Sequence, residues 1–251
     1  MSDVQTALEA SVEHLRQIVD DLDESQYTAQ AYPSEWTIAQ VMSHIGSGAV
    51  IMRHGIEAII AGNQVPDGFN QSVWDEWNAK APAVQVADSL VADRALIERV
   101  ALVPATDRTS FRMSIGPMSL DFDGALGLRL GEHALHTWDI DVSVDPAATV
   151  PEQAAGLIVD TISMLVGFAA KSDGTERQLA IHTCDPERDF VLTIGLDRVS
   201  LEPSAPSDVA DLTIPTEALV RLVYGRLDAA HTPAGLDEAV VATLRPIFPG
   251  F

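Results

Sequence analysis

The chain is short of cysteine. Its 251 residues include a single one, Cys184, so an internal disulfide is excluded and a reducing compartment is the natural setting. Cys184 ends an alternating apolar stretch, residues 179–184, which is typical of a strand, and we interpret it as a packed thiol. His182 lies two residues away on the same strand face, so an activated nucleophile remains as an alternative interpretation.

Basic residues are also scarce. Fifteen lysines and arginines stand against 37 aspartates and glutamates, which gives a formal net charge of −22 and an isoelectric point near 4.4. Nucleic-acid phosphates and anionic membrane surfaces attract clustered positive charge. We therefore expect neither nucleic acid nor membrane as a partner.

Long apolar runs are missing as well. No stretch approaches the roughly 20 apolar residues of a transmembrane helix, and residues 1–5 carry neither the basic nor the apolar region of a signal peptide. These features predict a cytoplasmic protein, and monomer and homodimer both stay open.

Apolar residues, in contrast, make up 47% of the chain. That is enough for one large or two ordinary hydrophobic cores. In its first part these residues recur at steps of three and four, the period of an amphipathic helix. Within the second helix, Gly46 and Gly48 predict a close approach of a neighbouring helix. Long loops are expected at 65–77 and at 108–117, the latter as an extended lip over a site. The predicted helices cover residues 3–23, 37–62, 84–102 and 120–144.

The pattern changes after residue 146. Period-two stretches bracketed by helices now predict a small α+β module. Thr216 is expected to cap its last helix. The fold class is therefore α+β, with a four-helix bundle over residues 1–148 and an α+β domain over residues 149–251. The predicted elements of the second domain are helices at 151–170 and 216–226 and strands at 177–183, 190–196, 199–202 and 210–214.

One segment carries a possible metal site. Glu132 and His136 stand four residues apart in a predicted helix, so a carboxylate and an imidazole lie on one face, one turn apart. His44, at the end of the helix-like segment Thr37–His44, is the best third ligand, and two histidines with one glutamate form an open set of the catalytic zinc type. Such pairs also arise by chance, and His133 could face the same side as His136.

Three motifs in order resemble one known family. They are Glu35–Thr37 followed by Val41–His44, the run Arg129–Asp139 (RLGEHALHTWD), and a C-terminal module containing Ala210–Ile214 and Leu222–Arg226. This set resembles the mycothiol-dependent maleylpyruvate isomerases, a branch of the DinB-like metal-binding four-helix superfamily. The C-terminal module resembles sterol-carrier-like α+β folds.

The resemblance implies a function and a ligand set. By position, His44, Glu132 and His136 match the family's metal ligands, which implies zinc with an open position for the thiolate of mycothiol. We therefore predict a zinc-dependent thiol S-transferase or isomerase with mycothiol as cosubstrate. The identity of its electrophilic substrate stays open. Asp139 is expected to accept a hydrogen bond from a ligand imidazole.

Other interpretations stay open at this stage. A dicarboxylate substrate needs a cationic partner, and Arg53 and Arg129 are the two candidates for that catalytic role. Nickel or iron suits the same ligands. A non-catalytic module that binds a metal or an apolar ligand is the alternative function. His182 and His231 are interpreted as structural or surface residues.

Overall fold

The computed structural model describes residues 1–115, 118–207 and 209–250. The chain divides into two compact units, Met1–Ala148 and Thr149–Phe251. The predicted α+β class is confirmed, because helices dominate the first unit and a four-stranded sheet lies in the second. Among the described residues no single helix is long and apolar enough to cross a membrane, although one bent helix pair passes by length and composition.

Four long helices form the bundle of the first unit. Helix α1 packs on α6 and α2 packs on α4, while α2 also contacts α6 and α1 contacts α4. Each of the four overlaps a helix that the apolar period predicts, with ends that differ by a few residues. Their bounds are α1 Asp3–Asp20, α2 Ile38–Ile60, α4 Pro82–Ala101 and α6 Phe122–Val144.

Local chemistry fixes where the two site-bearing helices begin. Thr37 caps α2: its hydroxyl accepts the Gln40 amide N–H while the Gln40 side chain accepts the Thr37 amide N–H. Asp121 caps α6 through the Gly124 amide N–H at 2.8 Å. A buried apolar cluster that includes Leu15 joins these helices, and each fully buried aliphatic side chain contributes about 1.5–3 kcal/mol.

Gly46 lets α2 and α4 come close. A Cβ atom there would lie 2.8 Å from the Ser89 Cα on α4 and 2.4 Å from the Trp77 ring. At Gly48 a Cβ would lie 2.7 Å from the Arg129 guanidinium. Close packing is therefore the role of both glycines, as their sequence context predicts.

The prediction of a loop at 65–77 is wrong, because helix α3, Phe69–Asn78, occupies most of this segment. Its apolar residues Phe69, Val73 and Trp77 are spaced by four, and Val73 and Trp77 are buried. Trp74, which is 40% exposed, lies out of phase with these three and conceals the helical period in the sequence.

The extended lip predicted at 108–117 is wrong in its first part. Helix α5, Ala105–Ser110, begins before it, and the Arg108 guanidinium donates to the Val100 and Val103 carbonyls. These bonds hold α5 to the end of α4. Strand β1, Met113–Ile115, pairs antiparallel with β2, Met118–Leu120, and Gly116 and Pro117 lie outside the described residues.

The second unit contains a sheet in the order β5-β4-β3-β6. Neighbouring strands run antiparallel except β3 and β6, which are parallel. Phe190, Leu192 and Ile194 alternate along β4 and are buried, as the period-two pattern predicts. The strands are β3 Arg177–Cys184, β4 Arg188–Ile194, β5 Val199–Pro203 and β6 Leu212–Pro215.

The single helix predicted at 151–170 is wrong. It is two helices, α7 Glu152–Val159 and α8 Ile162–Ala169, bent by 69° at the break. At the break the Thr161 amide and hydroxyl both donate to the Ile158 carbonyl. A threonine that bonds the preceding turn in this way competes with continued helix.

The last part of the chain differs in detail from the prediction. Helix α9 is Thr216–Val223, and Pro215, not Thr216, is its N-cap residue. The Thr216 hydroxyl instead donates to the Cys184 and Pro186 carbonyls at 3.0 and 2.8 Å, because the parallel pairing of β6 with β3 brings these segments together. A further helix, α10 Glu238–Leu244, follows.

Candidate metal centre

Three side chains meet between α2 and α6. The His44 Nε2 atom lies 3.5 Å from the Glu132 Oε2 atom, and the His136 Nε2 atom lies 3.7 Å from the same oxygen. Each of the three residues offers one ligand atom, and these atoms all lie within 4.8 Å of one another. Glu132 and His136 occupy successive turns of α6, and the packing of α2 on α6 supplies His44.

These distances suit a tetrahedral metal. Zinc binds imidazole nitrogen at about 2.0–2.1 Å and carboxylate oxygen at about 2.0–2.2 Å, so neighbouring ligand atoms stand roughly 3.4 Å apart. The separations of 3.5 and 3.7 Å in the protein are close to that edge length. The donor set, two imidazoles and one carboxylate, therefore fits a divalent metal in both chemistry and spacing.

Asp139 fixes the orientation of one of these imidazoles. Its carboxylate lies 2.8 Å from the His136 Nδ1 atom and is fully buried. A carboxylate there accepts the Nδ1–H proton, which leaves the lone pair of Nε2 directed at Glu132. The Tyr32 amide N–H donates to the Asp139 carbonyl at 3.0 Å, so the loop before α2 is tied to this turn of α6.

The surroundings of Glu132 keep it ionised. Burial acts to raise its pKa, but the hydrogen bond with His44, the positive charge of His136 and His44 when protonated, and the charge of Arg129 outweigh it, so the pKa lies below its ordinary value. An ionised carboxylate is the form that binds a metal. Glu132 is therefore ready to act as a ligand without first losing a proton at neutral pH.

An aromatic ring covers one side of the cluster. The Trp36 ring lies 5.9 Å from the His136 ring, nearly parallel at 23°, and 5.2 Å from the His44 ring. The loop that carries it is held by the Ala31 amide N–H, which donates to the Trp36 carbonyl at 3.0 Å. The indole thus covers one side of both imidazoles and limits their rotation, while the His44 side chain stays 37% exposed.

The structure separates His133 from His136. His133 is fully buried, with its Nδ1 atom 2.8 Å from the Ser11 hydroxyl and its Nε2 atom 3.2 Å from the Asp93 carboxylate. It belongs to the polar core of the bundle and lies on the side of α6 that faces α1 and α4. Sequence spacing does not reveal this, because the two histidines are only three residues apart.

Arg129 belongs to the same buried network. Its Nη2 atom donates to the Asp93 carboxylate at 2.8 Å and to the Ile45 carbonyl at 2.9 Å, and the side chain is 6% exposed. A guanidinium paired in this way is not available to a substrate carboxylate. Asp93 is a residue that the sequence interpretation missed, and its position within the apolar period of α4 is the signal that could have drawn attention to it.

Arg53 does not join the cluster. It follows His44 by nine residues in α2, a distance of about 13.5 Å along a helix axis. It lines a separate cavity with residues of α3 and α4. The structure therefore brings His44, Glu132, His136 and Asp139 together and leaves both candidate arginines outside.

The remaining predicted histidines lie in the second unit. His182 Nδ1 is 3.0 Å from the Asp189 carboxylate across the β3–β4 pair, and His231 Nδ1 is 2.8 Å from the Asp228 carboxylate. Both make local contacts of a structural kind.

Fold and site together define an α+β protein whose four-helix bundle holds a cluster of two histidines and one glutamate suited to a divalent metal. Residues 8–141, more than half of the chain, match the model of the mycothiol maleylpyruvate isomerase N-terminal domain. The chain belongs to this family, so the predicted resemblance is confirmed.

Two solved structures share the fold. One is described as a crystal structure of the mycothiol-dependent maleylpyruvate isomerase, with a TM-score of 0.65, 13% identity and 91% of each chain covered. The other is a histidine-to-alanine mutant of that isomerase, with a TM-score of 0.64, 12% identity and 90% of each chain covered. Comparison with curated protein sequences gave no match.

Proposed function

We propose that this protein is a metal-dependent enzyme that uses a low-molecular-weight thiol, mycothiol, in thiol transfer or in isomerisation. The observation that carries the proposal is the convergence of the His44, Glu132 and His136 ligand atoms within 4.8 Å. The family supports mycothiol as the thiol, and the donor set supports zinc, although it suits other divalent metals too.

Each of these side chains has a separate task in the proposed site. His44 and His136 offer neutral imidazole nitrogens, while Glu132 supplies the one negative charge. Asp139 holds His136 in the tautomer whose Nε2 carries the lone pair that can bind a metal. When bound, zinc would lower the pKa of a thiol so that the sulfur serves as a nucleophile near neutral pH.

A thiolate sulfur of this kind can carry out both thiol transfer and isomerisation. In transfer, it forms a C–S bond with an electrophile and the leaving group departs with the electron pair. In isomerisation, the thiolate adds to a conjugated double bond, the resulting single bond rotates, and expulsion of the thiolate restores the double bond without consuming thiol. The thiol comes from the cosubstrate, and we propose the cytoplasm as a suitably reducing setting.

The proposal is tested by turnover. Purified protein is supplied with zinc and mycothiol and offered either maleylpyruvate or an electrophile such as monobromobimane, with glutathione and bacillithiol as alternative thiols. We expect mycothiol-dependent turnover in one of the two assays, lost in Glu132→Gln and retained in His182→Ala. The second variant removes a histidine of the other unit and is the matched control.

Calorimetric titration with mycothiol gives an independent readout. We expect the zinc-loaded protein to bind mycothiol and the chelator-treated protein to bind it far more weakly. Folded protein that binds metal but neither binds nor turns over any of the three thiols would contradict the proposal and favour a non-catalytic metal-binding module.

A further inference from the structure

A cavity lies in the first unit, between α2, α3 and α4. It encloses about 320 Å³, at the lower end of the roughly 300–1,000 Å³ typical of small-molecule sites. Among the described residues that line it, none belongs to the metal cluster. It is therefore a separate feature of the bundle.

Arg53 is the one unpaired charge in its wall. The guanidinium makes no hydrogen bond or ion pair with any residue that the structure describes, and the side chain is only partly exposed. The cavity's other cation, Lys80, already lies 3.0 Å from the Asp88 carboxylate and stacks over the Trp77 ring. Arg53 thus has donors to spare for an anion, and a guanidinium binds a carboxylate in a bidentate manner.

The rest of the wall is mostly apolar. Val50 comes from α2, Val73 and Trp77 from α3, and Ala92 and Ala95 from α4. Small alanine side chains on one wall opposite valine and indole leave room for a compact apolar body. Two acidic residues, Glu76 and Asp88, also line the cavity; the Glu76 side chain is 72% exposed and lies mainly in water, and the Asp88 carboxylate is paired with Lys80.

We infer that this cavity is a binding site for a small monoanion with an aromatic or branched apolar body. Its carboxylate pairs with Arg53, and its apolar part packs between Val73 and Ala95. Binding here is independent of the metal, because Arg53 stands about 13.5 Å along the helix from His44. The inference therefore stands apart from the proposed function.

Benzoate is the probe, with benzyl alcohol as its neutral and benzylamine as its cationic counterpart. Binding is measured by calorimetry and by ligand-observed NMR on chelator-treated protein. We expect benzoate to bind at least about tenfold more tightly than the other two, the factor that a charge-assisted hydrogen bond provides. Arg53→Gln should remove this preference, since it deletes the charge and leaves a shorter, uncharged polar side chain.

Two further variants sharpen the test. Arg94→Gln removes an arginine from α4 that pairs with Glu98 at the surface and lies outside the cavity wall, so benzoate binding should be unchanged. Ala95→Phe should block all three ligands, because the ring occupies the cavity. Circular dichroism confirms that each variant is folded.

Three results would overturn the inference. One is a folded wild-type protein that shows no binding of benzoate at millimolar concentration. Another is equal benzoate affinity in wild type and Arg53→Gln. The third is benzoate binding that appears only after zinc is restored, because the anion then binds at the metal cluster and the Arg53 cavity is not its site.

Discussion

Replacing Asp93 with asparagine should destabilise the first unit strongly. The Asp93 carboxylate is 1% exposed, accepts a hydrogen bond from Arg129 at 2.8 Å and lies 3.2 Å from the His133 ring. The variant leaves the Arg129 guanidinium buried without its counter-charge. Breaking a buried pair from one side costs about 3–5 kcal/mol, and burial at this depth leaves little solvent to screen the loss.

The double variant Asp93→Asn with Arg129→Met separates this effect from simple loss of contacts. Removing both charges leaves no uncompensated ion in the core, so the double variant should be less destabilised than the two single variants summed. The double-mutant cycle should show that the double variant is less destabilised than the sum of the single variants by about 1 kcal/mol or more.

Urea unfolding followed by tryptophan fluorescence is the assay. All four tryptophans, at positions 36, 74, 77 and 138, lie in the first unit, so the signal reports on the bundle. Asp20→Asn, at an exposed ion pair with Arg16, is the control and should behave like wild type. A loss below about 1 kcal/mol for Asp93→Asn would refute the buried-charge reasoning.

Three further predictions concern packing, pH and the metal. Gly46→Ala should cost about 1–3 kcal/mol in urea unfolding because its Cβ would lie 2.4 Å from the Trp77 ring; Gly127→Ala, with no described atom within 4 Å, should not destabilise. The Asp173 carboxylate accepts a hydrogen bond from the Thr175 hydroxyl. It should therefore titrate in NMR with a pKa of about 2 instead of 3.8. Its stabilising effect is present above pH 3.8 and is lost as the pH falls towards 2; a pKa near 3.8 contradicts this. Asp139→Asn should weaken metal binding by about 10–100-fold in a chelator competition. Unchanged metal affinity would contradict the role of Asp139 in orienting His136.

The bundle could be predicted from the sequence because its helices have a regular apolar period. Helix α3 does not follow from the sequence, although Phe69, Val73 and Trp77 repeat every four residues, because the repeat is short and the exposed Trp74 lies out of phase with it. The α7–α8 pair was read as one helix because its residues are apolar on nearly all sides, which gives no period from which a 69° bend could be inferred.

The candidate site could be predicted only in part. The spacing of Glu132 and His136 places them on one face of a helix, and His44 is the best third ligand from the sequence, whereas the choice of His136 over His133 depended on the family resemblance. That Arg129 and His133 turn into the core follows from their pairing with Asp93. Such a pairing between residues 36 and 40 positions apart depends on how α4 packs beside α6, which no local pattern records.

Metal content tests the central claim most directly. Wild-type protein, His136→Ala and the control His182→Ala are purified side by side, checked for folding by circular dichroism, and submitted to elemental analysis. We predict close to one divalent metal ion per chain in wild type and in the control, and its loss in His136→Ala. Folded wild-type protein without metal, or a His136→Ala variant that retains it, would contradict the proposed metal centre.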